Sequence, residues 1–134
     1  MNINFIVVGK PVGKQRPRTV HNKYTGKTLT YTPDKTKAYE NEVAKAYRRK
    51  SSDTFKNAVS VNIIVFVKQP KKLTYSNPTV KPDIDNIAKT ILDGLNGIAY
   101  SDDKQVVKLS IVKCYGNEDY ISVSISDYEL SKVQ

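Results

Sequence analysis

Cysteine and histidine are nearly missing from this chain: Cys114 is the one thiol and His21 the one imidazole among 134 residues. A disulfide within the chain needs two cysteines, so none can form, and a Cys/His zinc site lacks its ligands. Any metal must therefore be met by oxygen donors. Long apolar runs are missing too. No stretch approaches the roughly 20 residues of a membrane span, and Met1 to Phe5 is too polar to open a secretory signal. The expectation is a cytoplasmic protein with no membrane partner. There is no internal repeat, no low-complexity tract and no Gly-rich phosphate loop. The length suits a single domain, 1–134, small enough that dimerisation is a natural way to bury more surface.

Negative charge is scarce, and only in part of the chain. Lys and Arg number 22 against 13 Asp and Glu, a formal net charge of +9. Residues 1–50 carry +9 and residues 51–82 carry +4, whereas residues 83–134 carry −4. A basic N-terminal half joined to an acidic region points to a polyanion partner, most simply nucleic acid.

The local patterns place two helices among strands. "NINFIVVG" reads as a short buried strand ending at Gly9. The Gly-, Pro-, Lys- and Thr-rich stretch after it cannot form a helix and holds a loop or loose hairpin turning at Tyr24–Gly26. Residues 34–50 form a helix with Tyr39, Val43, Ala46 and Tyr47 on one face, Asp34 as N-cap, and Arg48–Lys50 at the end the helix dipole favours. "AVSVNIIVFV" (58–67) is a central strand, followed by a polar loop. Ile84, Ile87, Ala88, Ile91, Leu92 and Leu95 make a full amphipathic stripe for a second helix, ended by Asn96–Gly97. "KQVVKLSIVKCY" and "DYISVSIS" are two strands turning around Gly116–Asn117. The order β-α-β-α-β-β predicts an α/β (α+β) domain, two helices on a single mixed sheet.

Five aspartates gather in "DIDNIAKTILDGLNGIAYSDD" (83–103) of this basic chain. Asp83 and Asp85 would point about 200° apart if both were helical. They can converge if Asp83 lies in the extended approach to the helix, which Pro82 favours, and Asp85 in its first turn. The helix from Ile84 to Asn96 is roughly 20 Å long, and six extended steps from Gly97 cover about the same distance. The chain is thus long enough to return Asp102 or Asp103 to Asp83 and Asp85. Several carboxylates so close cannot all stay ionised without a cation. Mg²⁺ takes one or two carboxylates plus water and phosphate oxygens, and with a basic surface for a polyanion this is the requirement for phosphodiester cleavage. Lys89, one turn beyond Asp85, can meet the phosphate. Each residue also has a structural reading: Asp83 as N-cap, Asp85 as a dipole-favoured acid, Lys89 as a salt-bridge partner of Asp85 or Asp93, and Asp102–Asp103 as a turn.

The block "KPDIDNIAKTILDGLNGIAYSDDKQVV" resembles the core motif of the RusA family of Holliday junction resolvases, small endodeoxyribonucleases common in prophages. The pattern is Asp-x-Asp-Asn opening a helix, a Lys four residues after the second Asp, then Asp-(Ala/Gly)-Leu and Asp-Asp-x-Gln-Val. The opening "GKPVGKQRPR" is similar to the Gram-positive and phage branch, and the likeness spans essentially the whole chain. It implies a RusA-like homodimer that depends on Mg²⁺, with Mn²⁺ able to substitute, and resolves Holliday junctions by paired symmetric nicks during DNA recombination and repair. Carried over by motif position, Asp83, Asp85 and Asp103 are the metal-binding catalytic carboxylates, Lys89 is the basic catalytic residue, and Asp102 is a further metal ligand. Asn86 orients the start of the helix. Lys81 sits where the family carries basic residues, although Pro82 replaces the arginine some relatives place before Asp83. Lys14, Arg16 and Arg18, alternating on a loop, are candidate phosphate contacts.

Two other readings compete. A branched-DNA-binding protein of the same fold without turnover would gain nothing from carboxylates that repel phosphate. A transferase holding a nucleotide diphosphate on Asp-x-Asp would need a phosphate loop and more chain than is present. A calcium loop at 83–94 fails for want of glycine at its sixth position and because the apolar stripe demands a helix.

Overall fold

The computed structural model describes residues 1–14, 18–31, 33–73 and 75–129. The elements are β1 (Asn2–Val8), β2 (Arg18–His21), β3 (Thr28–Tyr31), α1 (Asp34–Lys50), β4 (Val59–Lys68), α2 (Ile84–Leu95), β5 (Val106–Gly116) and β6 (Tyr120–Asp127), with a 3₁₀ turn at Asp103–Gln105. Four strands form a mixed sheet in the order β1-β6-β4-β5. β6 runs antiparallel to both β1 and β4, while β4 and β5 are parallel. The parallel pair requires a crossover, and α2 lies in it.

The predicted central strand is central because its residues are buried on the helix side: Val59, Val61, Ile63 and Val65 are at most 1% exposed. They meet Ile121, Val123 and Ile125 of β6 and the apolar stripes of both helices in one core. α1 buries Tyr39, Val43, Ala46 and Tyr47, the face its spacing predicts. α2 buries Ile87, Ala88, Ile91 and Leu95 and ends at Leu95, with Asn96 as its cap residue and Gly97 at φ +75 beyond it. Replacing Ile91, fully buried, by alanine would cost about 2–5 kcal/mol. The helices touch closely at Gly94, where an added Cβ would stand 2.8 Å from the Glu40 carbonyl oxygen.

Three local expectations need correction. α1 starts at Asp34 with Pro33 as its cap residue and no side-chain cap bond, so Asp34 acts through the dipole alone. The hairpin turns where expected, but as β2–β3 it forms a second, two-stranded sheet, so the domain holds two sheets and not the single one expected. Ile84, assigned to the buried stripe, is the first residue of its helix and is 41% exposed. Among the described residues, no helix is long and apolar enough to cross a membrane.

Candidate functional site

The start of α2 is pinned from two sides. From the N-terminal segment, the Lys14 backbone N–H donates to the Asn86 carbonyl at 2.9 Å. A Cβ on Gly13 would come within 2.8 Å of the Pro82 side chain, so only glycine lets this segment cross so near. From the sheet, the Lys113 ammonium donates to the carbonyls of Val80 and Pro82. Lys113 shares its strand face with Ile111 and Tyr115 and pairs with buried Val65. Asn86 does brace the helix start, but through its main chain: its carbonyl also accepts from the Thr90 hydroxyl at 3.0 Å.

Asp83 precedes the first turn with extended backbone, φ −68 and ψ 149, and makes no side-chain cap bond. This is the backbone geometry that convergence with Asp85 requires. Both carboxylates are exposed. Among the described residues neither has an ion-pair partner, and the same holds for the exposed Lys89. Salt bridges of Lys89 with Asp85 or Asp93 are not formed.

Asp83 borders a cavity of about 440 Å³ whose other walls include Gly13, Lys14, Lys35, Lys81 and Asn86. Lys35, Lys81 and Pro82 continue into a second of about 400 Å³, which adds Lys10, Lys113 and the single carboxylate of Asp119. A third, of about 350 Å³, shares Lys10 and Asp119 and adds Lys68 and Lys71. The three form a run of ammonium groups leading away from the two aspartates. Of these lysines only Lys14 and Lys81 stand out in the sequence. Lys113 leaves a signal there: a lysine in the alternating pattern Leu109, Ile111, Lys113, Tyr115, where an inward-facing residue is expected to be apolar.

At the other end of α2 a different group forms. Tyr100 is tied back to the helix, its hydroxyl donating to the Leu92 carbonyl at 2.8 Å and its own carbonyl accepting from Gly97 N–H at 2.8 Å. Asp102 caps the 3₁₀ turn by accepting from Lys104 N–H at 2.9 Å, and this bond draws its pKa below the usual carboxylate value. Asp103 is pushed the other way by lost hydration, the adjacent Asp102 carboxyl and the charge of Asp93. Burial, then the charges of Asp103, Asp93 and Asp102, raises the Tyr100 hydroxyl.

The predicted three-carboxylate cluster is therefore not assembled. Among the described residues no three His, Cys, Asp or Glu side chains come together as a metal site. The reason is in the chain path. Reaching Asp83 required an extended return along the full helix, but Gly97–Tyr100 is spent on a tight turn anchored at Leu92. Asp102 and Asp103 consequently lie near Asp93, and from Ile84 to Asp93 is about 13 Å along the axis. The donors at the helix start fit a hard divalent ion held by one or two carboxylates, with water and phosphate oxygens completing its shell. They do not fit an ion enclosed by protein.

Lys14 also departs from expectation. Its ammonium sits 2.8 Å from Glu40 and 3.0 Å from Asp93, and its side chain is 17% exposed. Burial lowers its pKa, but hydrogen bonds and charge from Glu40 and Asp93 outweigh that and hold it above the usual lysine value. A cation so matched is a structural tie between the N-terminal segment and both helices, not a free phosphate contact. Arg18 belongs to β2, Lys81 borders the cavities, and Arg16 lies outside the described residues.

Residues 9–126 match the family described as Endodeoxyribonuclease RusA. A curated relative, "Uncharacterized protein YqaN" of Bacillus subtilis (strain 168), is 34% identical over 139 aligned positions, covering 93% of this chain and 96% of its own. Matched to that family over most of its length and to a relative over nearly all of it, the chain belongs to the RusA endodeoxyribonuclease family.

Proposed function

We propose that the protein is a divalent-metal-dependent endonuclease that nicks four-way (Holliday) junctions in DNA, acting as a homodimer so that two sites cut symmetrically. One observation carries the reading: Asp83 and Asp85 are exposed where α2 begins, without an ion-pair partner among the described residues, and Asp83 borders a lysine-lined cavity. Two carboxylates without a partner would repel a phosphate backbone unless a cation joined them. Asp83 and Asp85 would hold Mg²⁺, or Mn²⁺ in its place. When bound, the ion supplies an activated water and neutralises charge on the phosphate.

The chain's own residues do the rest. Lys89, on the Asp85 face one turn along, stabilises negative charge that develops on the phosphate oxygens. Lys35 and Lys81 position the flanking backbone without reading sequence. In the reaction a water oxygen bonds to phosphorus as the bond to the 3′ oxygen breaks, leaving a 5′ phosphate and a 3′ hydroxyl.

Incubation of a synthetic four-way junction with and without Mg²⁺ tests this. The wild-type protein should give paired nicks only with metal, and Asp83→Asn should bind the junction but not cut it. Cutting by Asp83→Asn at the wild-type rate would remove the metal assignment. Binding by the wild type with no metal-dependent cutting would favour a non-catalytic branched-DNA-binding protein of the same fold.

A further inference from the structure

The segment between β1 and α1 carries an arm that, among the described residues, pairs with no other strand. No acidic residue precedes Asp34, while the same stretch holds Lys10, Lys14, Arg16, Arg18, Lys23 and Lys27. Within it β2 and β3, among the described residues, pair only with each other, and every residue from Thr19 to Thr30 is exposed. One face is bonded to itself, through the Thr19 and Thr30 hydroxyls and through His21 Nδ1 and the Thr28 hydroxyl, each at 3.3 Å. The other face shows the cross-strand pair Val20 and Leu29, 51% and 65% exposed.

The tip is ordered by its own bonds. The Asn22 side-chain oxygen accepts from Tyr24 N–H at 2.9 Å, and its carbonyl accepts from Gly26 N–H at 2.8 Å, with Gly26 at φ +70. The turn so fixed presents the Tyr24 ring completely to solvent, with Lys23 and Lys27 on either side. An isolated two-stranded hairpin is only marginally stable in water, so this one is shaped for something outside the chain. Cations without carboxylates around one aromatic ring match nucleic acid: phosphate for the lysines, a base face for the ring. A two-stranded ribbon also fits the major groove, about 12 Å wide.

We propose that the β2–β3 hairpin is a DNA arm, in which Lys23 and Lys27 contact phosphates and Tyr24 stacks on a base laid open at the branch point. This rests on the branched-DNA reading above and deepens it by separating residues that recognise the branch from those that cut.

The test measures binding of the full chain to a four-way junction and a matched linear duplex in EDTA, where no cutting occurs. The junction carries 2-aminopurine at its centre. Tyr24→Ala should weaken junction binding about tenfold, leave duplex binding nearly unchanged and abolish quenching of the probe. Tyr24→Phe should behave as wild type. Lys23→Gln with Lys27→Gln should lower the slope of log affinity against log salt by about 2. Because Tyr24 is fully exposed, the variants should melt with the wild type. Wild-type binding and quenching by Tyr24→Ala would overturn the arm while leaving the nuclease reading intact. A wild-type protein unable to tell junction from duplex would sink both. Loss of a dimer in Tyr24→Ala, with both DNAs weakened alike, would make the hairpin a contact between copies and likewise overturn the proposal.

Discussion

Replacing Lys14 by methionine keeps most of the unbranched side chain and deletes its charge, leaving Glu40 and Asp93 without their shared cation. The three side chains are 17%, 19% and 27% exposed. Exposed ion pairs contribute about 0.2–1 kcal/mol, whereas removing one partner of a buried pair costs about 3–5 kcal/mol. A mostly covered triad falls between, so Lys14→Met should lose about 2–3 kcal/mol. At this chain length that lowers Tm by roughly 8–12 °C. Urea unfolding should show an earlier midpoint with an unchanged slope. The triple variant Lys14→Met, Glu40→Gln, Asp93→Asn should recover more than half the loss, since much of it is the cost of two unbalanced carboxylates. The pH dependence has a definite sign. The Lys14 pKa is raised in the folded state, so its stabilisation is complete below the usual lysine pKa and fades as pH climbs through the raised value. The gap between wild type and Lys14→Met should stay level across neutral pH and narrow only above about pH 10. A loss under about 0.5 kcal/mol, the ordinary scatter of surface substitutions, would refute the idea that Lys14 ties the two helices to the N-terminal segment.

Gly94→Ala gains helix propensity but drives a Cβ to 2.8 Å from the Glu40 carbonyl oxygen; the net should be a loss of about 1–3 kcal/mol in chemical denaturation. Lys89→Ala removes a side chain with no ion-pair partner among the described residues, so stability should move by less than about 0.5 kcal/mol while junction nicking collapses. Asp103→Asn should hold or raise Tm at pH 7. The folded Asp103 carboxyl keeps its proton to higher pH than usual, so wild-type stability falls as pH rises through the carboxylate range and the variant escapes that fall.

What could be read from sequence was whatever repeats at short range. The stripes of Tyr39, Val43 and Tyr47 and of Ile87, Ile91 and Leu95 found the helices and their buried faces, because periodicity of 3.6 residues is set locally. Pro82 foretold the extended backbone of Asp83. Tertiary partners were not legible. Nothing near Lys14 announces that Glu40 and Asp93 will surround it, since the three come from separate segments joined only by packing. The carboxylate cluster failed for a related reason: chain length shows what a segment can reach, and the Tyr100 bond to Leu92 decides where it goes. Lys113 was readable in principle from strand alternation, but only once the inward face of β5 was known.

α2 bears its apolar stripe on one side and Asp85, Lys89 and Asp93 at successive turns on another. It therefore acts as an axle: whatever rotates the packing turns the charged groups with it. At a side-chain radius of about 6 Å, a roll of roughly 10° carries a carboxylate about 1 Å, a displacement that can cost about a hundredfold in rate when reacting atoms must align. Conservative repacking at Ile91, fully buried in the core, is thus a route to silencing this protein without unfolding it.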